Sequence, residues 1–217
     1  MQGGDRENVY DARLSHVCFC LHDPPPMKRA VDIVIATLLS ILLLLPALLV
    51  ALAIKLDSRG PVLSRPHRVG RSGRMVKVWE FRTAIADPDA METVGGCHGE
   101  QVTRVGALLR KLGIARWPML WSVLKGDFSI VGPRAEMPRY VGVYPPDLRK
   151  VVLSVKPGLV DLSSRELRAE RALLAGLEGD ALEEAYVEKV LPRRLELGKR
   201  YVEGRGFWMD LRILLGC

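Results

Sequence analysis

The segment from Ile33 to Ile54 constrains the fold of this chain most, because it is a long apolar run without a charged residue. About 20 such residues are enough for a helix to cross a bilayer, so the run predicts a membrane helix. Lys28 and Arg29 precede the run and Lys55 follows it. Cations on both sides leave the orientation of a spanning helix open, but they fit a segment whose two ends lie on the cytoplasmic side.

Pro46 interrupts this apolar run and removes one backbone hydrogen bond, so we expect a kink near it. The residues alone favour a kinked transmembrane helix within 27–59. The run begins too far from the N-terminus, behind three prolines and without a small-residue cleavage site, to be a signal peptide. Residues 1–26 are predicted to be an N-terminal extension, and residues 60–217 a single cytosolic domain.

The charge balance predicts anionic partners. The chain has 217 residues, with 32 Lys and Arg against 25 Asp and Glu, which gives a net charge of +7. Such a charge fits an anionic lipid surface, phosphorylated small molecules or nucleic acid. No basic and aromatic residues alternate as in nucleic-acid-binding segments, so nucleic acid is not an expected partner. At 48% hydrophobic residues the chain is not of the disordered class.

The cysteines do not predict a metal site. Cys18 and Cys20 precede the membrane segment, where they are either sites of reversible acylation or bystander thiols. Cys97 and His98 are neighbours without the further ligands that zinc requires. The acidic residues within 84–99 are predicted to be exposed loop residues and not metal ligands.

A helix is predicted from Trp117 to Leu124, because Pro118 suits a first helical turn. Trp117 and Trp121 are four residues apart and are predicted to share one face, where indoles suit a boundary between apolar and wet surroundings. This helix is either interfacial or packed in a core, and periodicity does not distinguish the two.

A tight turn follows that helix. Gly126 is predicted to end the helix, and residues 129–131 are predicted to form a short strand that leads into Gly132, Pro133 and Arg134. A guanidinium held on such a turn can bind two phosphate oxygens at once. Taken alone, the same tripeptide also fits a surface turn with a solvated arginine.

The remaining patterns predict a helix-rich α+β fold with short strands. They indicate a hairpin that turns at Ser72 and Gly73, a helix over 102–114, a capping box of Ser163 and Glu166, helix starts at Gly179 and Pro192, and a docking segment near the C-terminus.

The run LWSVLKGDFSIVGPRAEMPRY, from Leu120 to Tyr140, resembles the signature of the bacterial sugar transferase family, the monotopic polyprenyl-phosphate phosphoglycosyl transferases. Further motifs of the family occur in the same order along the chain: Gly60-Pro61-Val62, Arg68-Val69-Gly70, Trp79-Glu80-Phe81-Arg82-Thr83 and Val155-Lys156-Pro157-Gly158-Leu159. The resemblance covers roughly Lys28 to Leu215.

This resemblance implies a membrane helix that breaks at a proline and enters and leaves through one leaflet. It also implies a bacterial inner (cytoplasmic) membrane location, with the soluble domain facing the cytoplasm. Expected partners are polyprenyl phosphate, a UDP-sugar, and a second copy of the chain or an active homologue. The residues carried over are Arg82, Gly132, Pro133 and Arg134 for phosphate or nucleotide-sugar binding, and Pro46, Trp117 and Trp121 for the membrane.

The family's reaction has two steps. An aspartate of an Asp-Glu pair attacks the nucleotide sugar, and the phosphosugar then passes to polyprenyl phosphate with the help of Mg²⁺. Aligned on Pro118, this pair is replaced by Ala115 and Arg116. Alanine offers no nucleophile, and an arginine repels Mg²⁺ where an oxygen ligand is needed. We therefore expect no intact catalytic residue, and a pseudoenzyme that binds substrate or an active partner in exopolysaccharide, capsule or glycoconjugate biosynthesis.

Two alternatives stay open at this point. The chain is an active transferase that uses Asp127 or Glu136 as its carboxylate, with Mg²⁺ as the cofactor. Or it is a basic, membrane-tethered adaptor without sugar chemistry.

Overall fold

The structure is a computed structural model, and it describes residues 26–85, 102–177 and 179–216. The helices are α1 Pro26–Leu42, α2 Leu44–Asp57, α3 Arg104–Leu112, α4 Leu120–Lys125, α5 Pro138–Gly142, α6 Pro146–Val152, α7 Leu167–Leu174, α8 Gly179–Ala185, α9 Leu191–Gly204 and α10 Phe207–Leu214. The strands are β1 Leu63–Ser64, β2 His67–Val69, β3 Met75–Lys77, β4 Glu80–Phe81, β5 Ser129–Val131 and β6 Gly158–Val160. The predictions for Cys18, Cys20, Cys97, His98 and most of the acidic loop lie outside the described residues.

Helices α1 and α2 form a bent pair at an angle of 58°. The break is at Leu43, and its position follows from Pro46, whose missing N–H and bulky ring are incompatible with a helical bond to the carbonyl of Leu42. No single helix in the described part is long and apolar enough to cross a membrane. The two halves together have the length and composition of either a broken span or a re-entrant loop.

The bent pair exposes most of its apolar side chains. The large apolar side chains that are more than half exposed are Met27, Val34, Leu38, Ile41, Leu42, Leu44, Leu45, Leu48, Leu49, Leu52 and Leu56. A contiguous apolar surface of this kind marks a membrane or interaction site on a protein.

Polar contacts fix α1 to the rest of the domain. Asp32 is buried in α1, and its carboxylate accepts hydrogen bonds from Ser129 Oγ at 2.8 Å and from the backbone N–H of Ile130 at 3.1 Å. Lys28 donates a hydrogen bond to Asp210 Oδ2 of α10 at 2.7 Å. The membrane-type helix is therefore held against β5 and the C-terminal helix.

Within the described residues, six strands pair into three small sheets. β1 pairs with β4, and β2 with β3, in antiparallel register. The second pair is the predicted hairpin, with Ser72 at a φ of 60° in its turn. β5 and β6 are parallel, with Ser129 opposite Gly158. The helix-rich α+β architecture is as the sequence predicts.

The core consists of three apolar clusters. The largest lies between α1, α4 and β5, and includes Phe128 and Val123. The second lies beneath α5, α6 and α9, around Tyr140 and Tyr186. The third joins the end of α2 to β4 and α3 through Ile54 and Phe81. These clusters hold the loops between α3 and β6 in fixed positions.

The predicted capping box of Ser163 and Glu166 is wrong. The helical turn Leu162–Arg165 begins instead after Asp161, whose carboxylate and the Ser164 side chain cap it reciprocally. Ser163 Oγ donates a hydrogen bond to Asp161 Oδ1 at 2.6 Å. Ser163 therefore orients the capping residue Asp161 and is not itself the cap. The predicted helices over 102–114 and from Gly179 are present as α3 and α8.

Candidate anion-binding site

Two motif loops meet at a pair of glycines. The backbone N–H of Gly132 donates to Val160 O at 3.1 Å, and the N–H of Gly158 donates to Pro133 O at 2.9 Å. A Cβ on Gly158 would lie 2.1 Å from the nitrogen of Gly132, so no side chain fits there. This close approach fixes the backbone from which Arg134 projects.

Arg134 faces two carboxylates without a hydrogen bond to either. Its Nη1 lies 3.7 Å from Asp161 Oδ2, and its Nε lies 3.8 Å from Glu136 Oε1. These distances permit charge attraction but exceed hydrogen-bond length. Nη1 is buried and has no hydrogen-bond partner in the part of the chain that the structure describes. Arg134 thus retains unused donor capacity.

Arg116 lies close to Arg134. It is half-buried in the helical turn Ile114–Met119, which packs against β4. The positive charge of Arg134, followed by burial, lowers the pKa of Arg116 to about 10, while the charges of Glu80 and Asp161 act in the opposite direction. Within residues 26–85, 102–177 and 179–216, no side chain forms a hydrogen bond or ion pair with Arg116. The charge of Arg134 is therefore the main influence on the pKa of Arg116.

Ala115 precedes Arg116 in the same turn and packs on the apolar side. It contacts the cluster of Ile54, Phe81 and Leu109, together with Trp117. A methyl group at this position can contribute only packing.

The two tryptophans do not share a face, contrary to the prediction. Trp117 packs against the cluster around Ile54, whereas Trp121 is 55% exposed. The physical reason is that Trp117 lies in a turn with about three residues per turn, so a spacing of four does not align it with a residue in α4. A membrane contact by either indole stays a prediction.

Glu136 belongs to a buried network. Its Oε1 accepts a hydrogen bond from Arg194 Nη1 at 2.8 Å, and its Oε2 accepts one from the Tyr186 hydroxyl at 2.8 Å. Arg194 also donates to both carboxylate oxygens of Glu170, at 2.9 and 2.5 Å. Burial opposes the charge of Arg194, but the hydrogen bonds to Glu170 and the charge of Glu136 outweigh it and raise the pKa of Arg194.

Asp127 follows α4 and is half-buried. Its charge acts on Lys156, whose pKa is lowered first by burial and then by the nearby positive charge of Arg29. Arg29 donates to the carbonyls of Val123 and Leu124 at the end of α4, at 2.6 and 2.9 Å. Asp127 therefore lies next to the junction that Arg29 forms between α1 and the end of α4.

Arg82 is 8% exposed, and its donors are directed at the end of α2. Nη1 donates to Arg59 O at 2.5 Å, and Nη2 donates to Ser58 O at 2.9 Å and to Ser58 Oγ at 2.8 Å. Gly60 has a φ of +129°, and a Cβ there would lie 2.1 Å from Arg82 Nη1. Arg82 therefore positions the exit of the bent helix pair. Its predicted phosphate contact stays a prediction.

The Mg²⁺ that the resemblance implies does not fit these residues. No three His, Cys, Asp or Glu side chains come together as a metal site in the described ranges. By the resemblance aligned on Pro118, Arg116 stands at the position of the family's metal-binding glutamate, and a cation does not bind Mg²⁺. The cavity beside Arg134 has a volume of about 10 Å³, enough for roughly one water molecule.

Asp161 is the site residue that the sequence patterns did not single out. It is 4% exposed, it caps the turn after β6, and its other oxygen faces Arg134. The sequence clue to Asp161 was its position two residues after the motif Val155–Leu159. That motif is separated from Arg134 in the sequence, so the clue did not indicate that the two side chains meet.

Comparison with known proteins identifies the family. The bacterial sugar transferase family matches residues 24–217. A UDP-glucose:undecaprenyl-phosphate glucose-1-phosphate transferase of Escherichia coli (strain K12) is 34% identical over 95% of this chain and 41% of its own length. Proteins of the same description from Klebsiella pneumoniae and Caulobacter vibrioides are 31% and 33% identical, over 86% and 87% of this chain and 38% and 67% of their own lengths.

The chain spans less than half the length of the Escherichia coli and Klebsiella pneumoniae relatives. The match itself covers nearly all of this chain, from the start of α1 to the C-terminus. The chain belongs to the bacterial sugar transferase family.

Proposed function

We propose that this protein is a membrane-associated member of the family that binds a phosphate-bearing substrate or an active partner, and that it lacks covalent catalysis of its own. It would act in polyprenyl-linked glycan biosynthesis, the class of reaction to which its relatives' names refer. The observation that carries the proposal is Arg134, whose buried Nη1 has no hydrogen-bond partner among the described residues. By the resemblance, Ala115 stands where the family has its nucleophile.

The proposal follows from what the residues at the site can do. A guanidinium group binds and orients phosphate oxygens. Ala115 has no atom that can attack phosphorus, so no covalent phosphosugar intermediate forms on it. Glu136 has both oxygens engaged by Arg194 and Tyr186, which leaves it bound within the fold.

The membrane part of the proposal rests on the bent helix pair. Its exposed leucines need an apolar environment, and its two ends carry cations. We propose that α1 and α2 enter the inner membrane from the cytoplasmic side as a re-entrant loop. Both Lys28 and Lys55 then stay at the surface from which the pair enters.

The test is nucleotide release by the protein in nanodiscs, with undecaprenyl phosphate, Mg²⁺ and a panel of UDP-sugars. We expect no UMP from the natural chain, and UMP release from the double variant Ala115→Asp with Arg116→Glu, because that variant restores the family's pair on an intact scaffold. UMP release by the natural chain at a rate comparable with that of the double variant would overturn the proposal.

The same assay tests the active-enzyme alternative. Because both oxygens of Glu136 are engaged by Arg194 and Tyr186, the remaining candidate nucleophile of this alternative is the half-buried carboxylate of Asp127. An active enzyme of this kind would need Mg²⁺. If the natural chain released UMP and Asp127→Asn abolished the release, Asp127 would be the nucleophile. We expect Asp127→Asn to be indistinguishable from the natural chain.

A further inference from the structure

We infer that Tyr186 is a positioning residue for Arg134, because its hydroxyl holds the Glu136 carboxylate out of hydrogen-bond reach of the Arg134 guanidinium. The inference rests on the proposed function, in which Arg134 binds the phosphate of a ligand, and it adds a residue that controls whether Arg134 is available. Tyr186 acts through Glu136 and does not itself touch the ligand.

The first step concerns the distance between Glu136 and Arg134. Both residues lie on the loop after β5, and Glu136 Oε1 is 3.8 Å from Arg134 Nε. A hydrogen bond between charged groups of this kind is about 2.7–2.9 Å long, so a movement of roughly 1 Å would form it. A carboxylate in that bond would occupy a donor that a phosphate needs. Glu136 is therefore a built-in competitor for the ligand of Arg134.

The second step concerns the hydrogen bonds that hold Glu136. Its Oε2 accepts one from the Tyr186 hydroxyl at 2.8 Å, and its Oε1 accepts one from Arg194 Nη1 at 2.8 Å. Arg194 Nη1 also donates to the Tyr186 oxygen at 2.7 Å, so the proton of that hydroxyl is directed at Glu136. These bonds orient the carboxylate toward Tyr186 and Arg194, away from Arg134.

The third step concerns Tyr186 itself, which packing holds in place. Tyr186 is 2% exposed, and its ring centre lies 4.7 Å from that of Tyr140. It begins the π-helical turn Tyr186–Val190 between α8 and α9. Such wide turns are rare and frequently occur at functional sites. A side chain fixed in this way orients a neighbouring carboxylate with little freedom of its own.

The same arrangement recurs at the other carboxylate that faces Arg134. Asp161 Oδ2 lies 3.7 Å from Arg134 Nη1. Asp161 Oδ1 accepts hydrogen bonds from Ser163 Oγ at 2.6 Å and from Ser164 Oγ at 3.1 Å. A buried donor without a hydrogen bond, as Arg134 Nη1 is among the described residues, is costly. Hydroxyl groups thus bind both acidic neighbours of Arg134, and neither carboxylate satisfies its guanidinium.

Removal of the Tyr186 hydroxyl separates this role from a purely structural one. In Tyr186→Phe the Glu136 Oε2 loses its partner, and the nearest unsatisfied donor belongs to Arg134. Glu136 should then move toward Arg134 and compete with the ligand. A neutral glutamine at position 136 competes far less for a guanidinium, so Glu136→Gln should reverse the effect. Damage to the fold alone would not be reversed in this way.

The experiment compares the natural full chain in nanodiscs with Tyr186→Phe, Glu136→Gln and the double variant that carries both substitutions. Calorimetric titrations with UDP and with inorganic pyrophosphate measure the affinity. In a second measurement without ligand, phenylglyoxal modifies arginine side chains, and peptide mapping gives the rate at Arg134. Tyr201→Phe is the matched control, because Tyr201 is 3% exposed and its hydroxyl donates to Asp210 Oδ1 at 2.8 Å.

Thermal melting verifies that each variant is folded. If Tyr186→Phe is not folded, Arg194→Lys replaces it, because that substitution removes the guanidinium fork that binds both Glu136 and Tyr186.

We expect Tyr186→Phe to weaken the binding of UDP or pyrophosphate about 10-fold, the usual effect of a competing charged hydrogen bond, and to slow the modification of Arg134. The double variant should return to within about 3-fold of the natural affinity, with the rate at Arg134 restored. Tyr201→Phe should change neither the affinity nor the rate.

A folded Tyr186→Phe variant with unchanged affinity and an unchanged rate at Arg134 would overturn the inference. A double variant that binds more weakly than Tyr186→Phe would overturn it as well, because the network would then act on the site only through the fold. If neither probe binds the natural chain, the proposed function fails in its ligand. The rates at Arg134 then decide on Tyr186 alone, since they need no ligand.

Discussion

Arg194 and Arg116 are two enclosed arginines of the same domain with opposite surroundings. Arg194 donates to Glu136, Glu170 and Tyr186, and its pKa is raised. Arg116 faces another arginine, and its pKa is lowered. The first arrangement stabilises the fold, whereas the second opposes it. A cation held at a cost to stability is what the proposed function expects of a residue whose partner is an anionic ligand.

The difference follows from which elements surround each side chain. Arg194 lies on α9, and its partners come from the loop after β5, from α7 and from the segment before α9. These elements pack around one buried cation. Arg116 lies in a short turn whose neighbouring arginine is fixed by a glycine contact. The carboxylates of Glu80 and Asp161 reduce the repulsion and do not remove it.

The largest expected effect comes from breaking the satisfied network. Arg194→Leu leaves Glu136 and Glu170 buried without their cation, so we expect a loss of about 3–5 kcal/mol in the free energy of unfolding. Chemical denaturation in detergent measures it. Arg193→Leu, at the exposed neighbouring position, is the matched control and should have a much smaller effect. Equal effects of the two substitutions would contradict the assignment of Arg194 as the central partner.

Arg82 is an intermediate case, because its donors bind backbone oxygens at the end of α2. Arg82→Met should reduce stability by about 1–3 kcal/mol, the cost of leaving those buried acceptors unpaired. Unfolding measurements and UDP titrations on the same preparation separate the two roles. We expect the affinity for UDP to stay unchanged. A loss of affinity in a folded variant would place Arg82 with the phosphate-binding arginines, as the sequence resemblance implies.

Removing the unsatisfied cation should stabilise the protein. The lowering of the pKa of Arg116 to about 10 corresponds to at most about 3 kcal/mol of unfavourable interaction, and solvent screening reduces it. We therefore expect Arg116→Gln to raise the free energy of unfolding by roughly 1 kcal/mol in the absence of ligand. Destabilisation by this substitution would show that Arg116 supports the fold, as Arg194 does.

The smallest effect is a pH dependence of that stabilisation. The folded-state pKa of Arg116, about 10, lies below the ordinary pKa of an arginine, which the unfolded chain keeps, so above about pH 9 the folded chain begins to release a proton that the unfolded chain retains. The natural chain then gains stability relative to Arg116→Gln as the pH rises. We expect the difference between the two proteins to narrow from pH 8 to pH 10.5. A constant difference over this range would argue against repulsion as its cause.

The sequence predicted the features that depend on local chemistry. Pro46 indicated the break in the membrane-type helix, and the structure places it at Leu43. The turn that carries Arg134 was predicted from two glycines. Gly126 ends the preceding helix, and Gly132 allows the backbone to approach Gly158 closely.

The features that the sequence did not predict depend on long-range packing. Glu136, Glu170 and Arg194 lie far apart in the chain, and no local pattern indicates that they meet. Trp117 and Trp121 have different environments because Trp117 lies in the tight helical turn that precedes α4. The spacing of four residues in the sequence does not distinguish such a turn from an α-helix.

The most direct test of the central claim is the intact mass of the protein after incubation with UDP-glucose and Mg²⁺ in nanodiscs without lipid acceptor. Without an acceptor, a covalent phosphosugar intermediate would accumulate on any nucleophile. We predict that the natural chain keeps its unmodified mass, while the Ala115→Asp, Arg116→Glu variant gains the mass of a hexose phosphate. A hexose phosphate on the natural chain, located by peptide mapping to Asp127 or any other residue, would contradict the account.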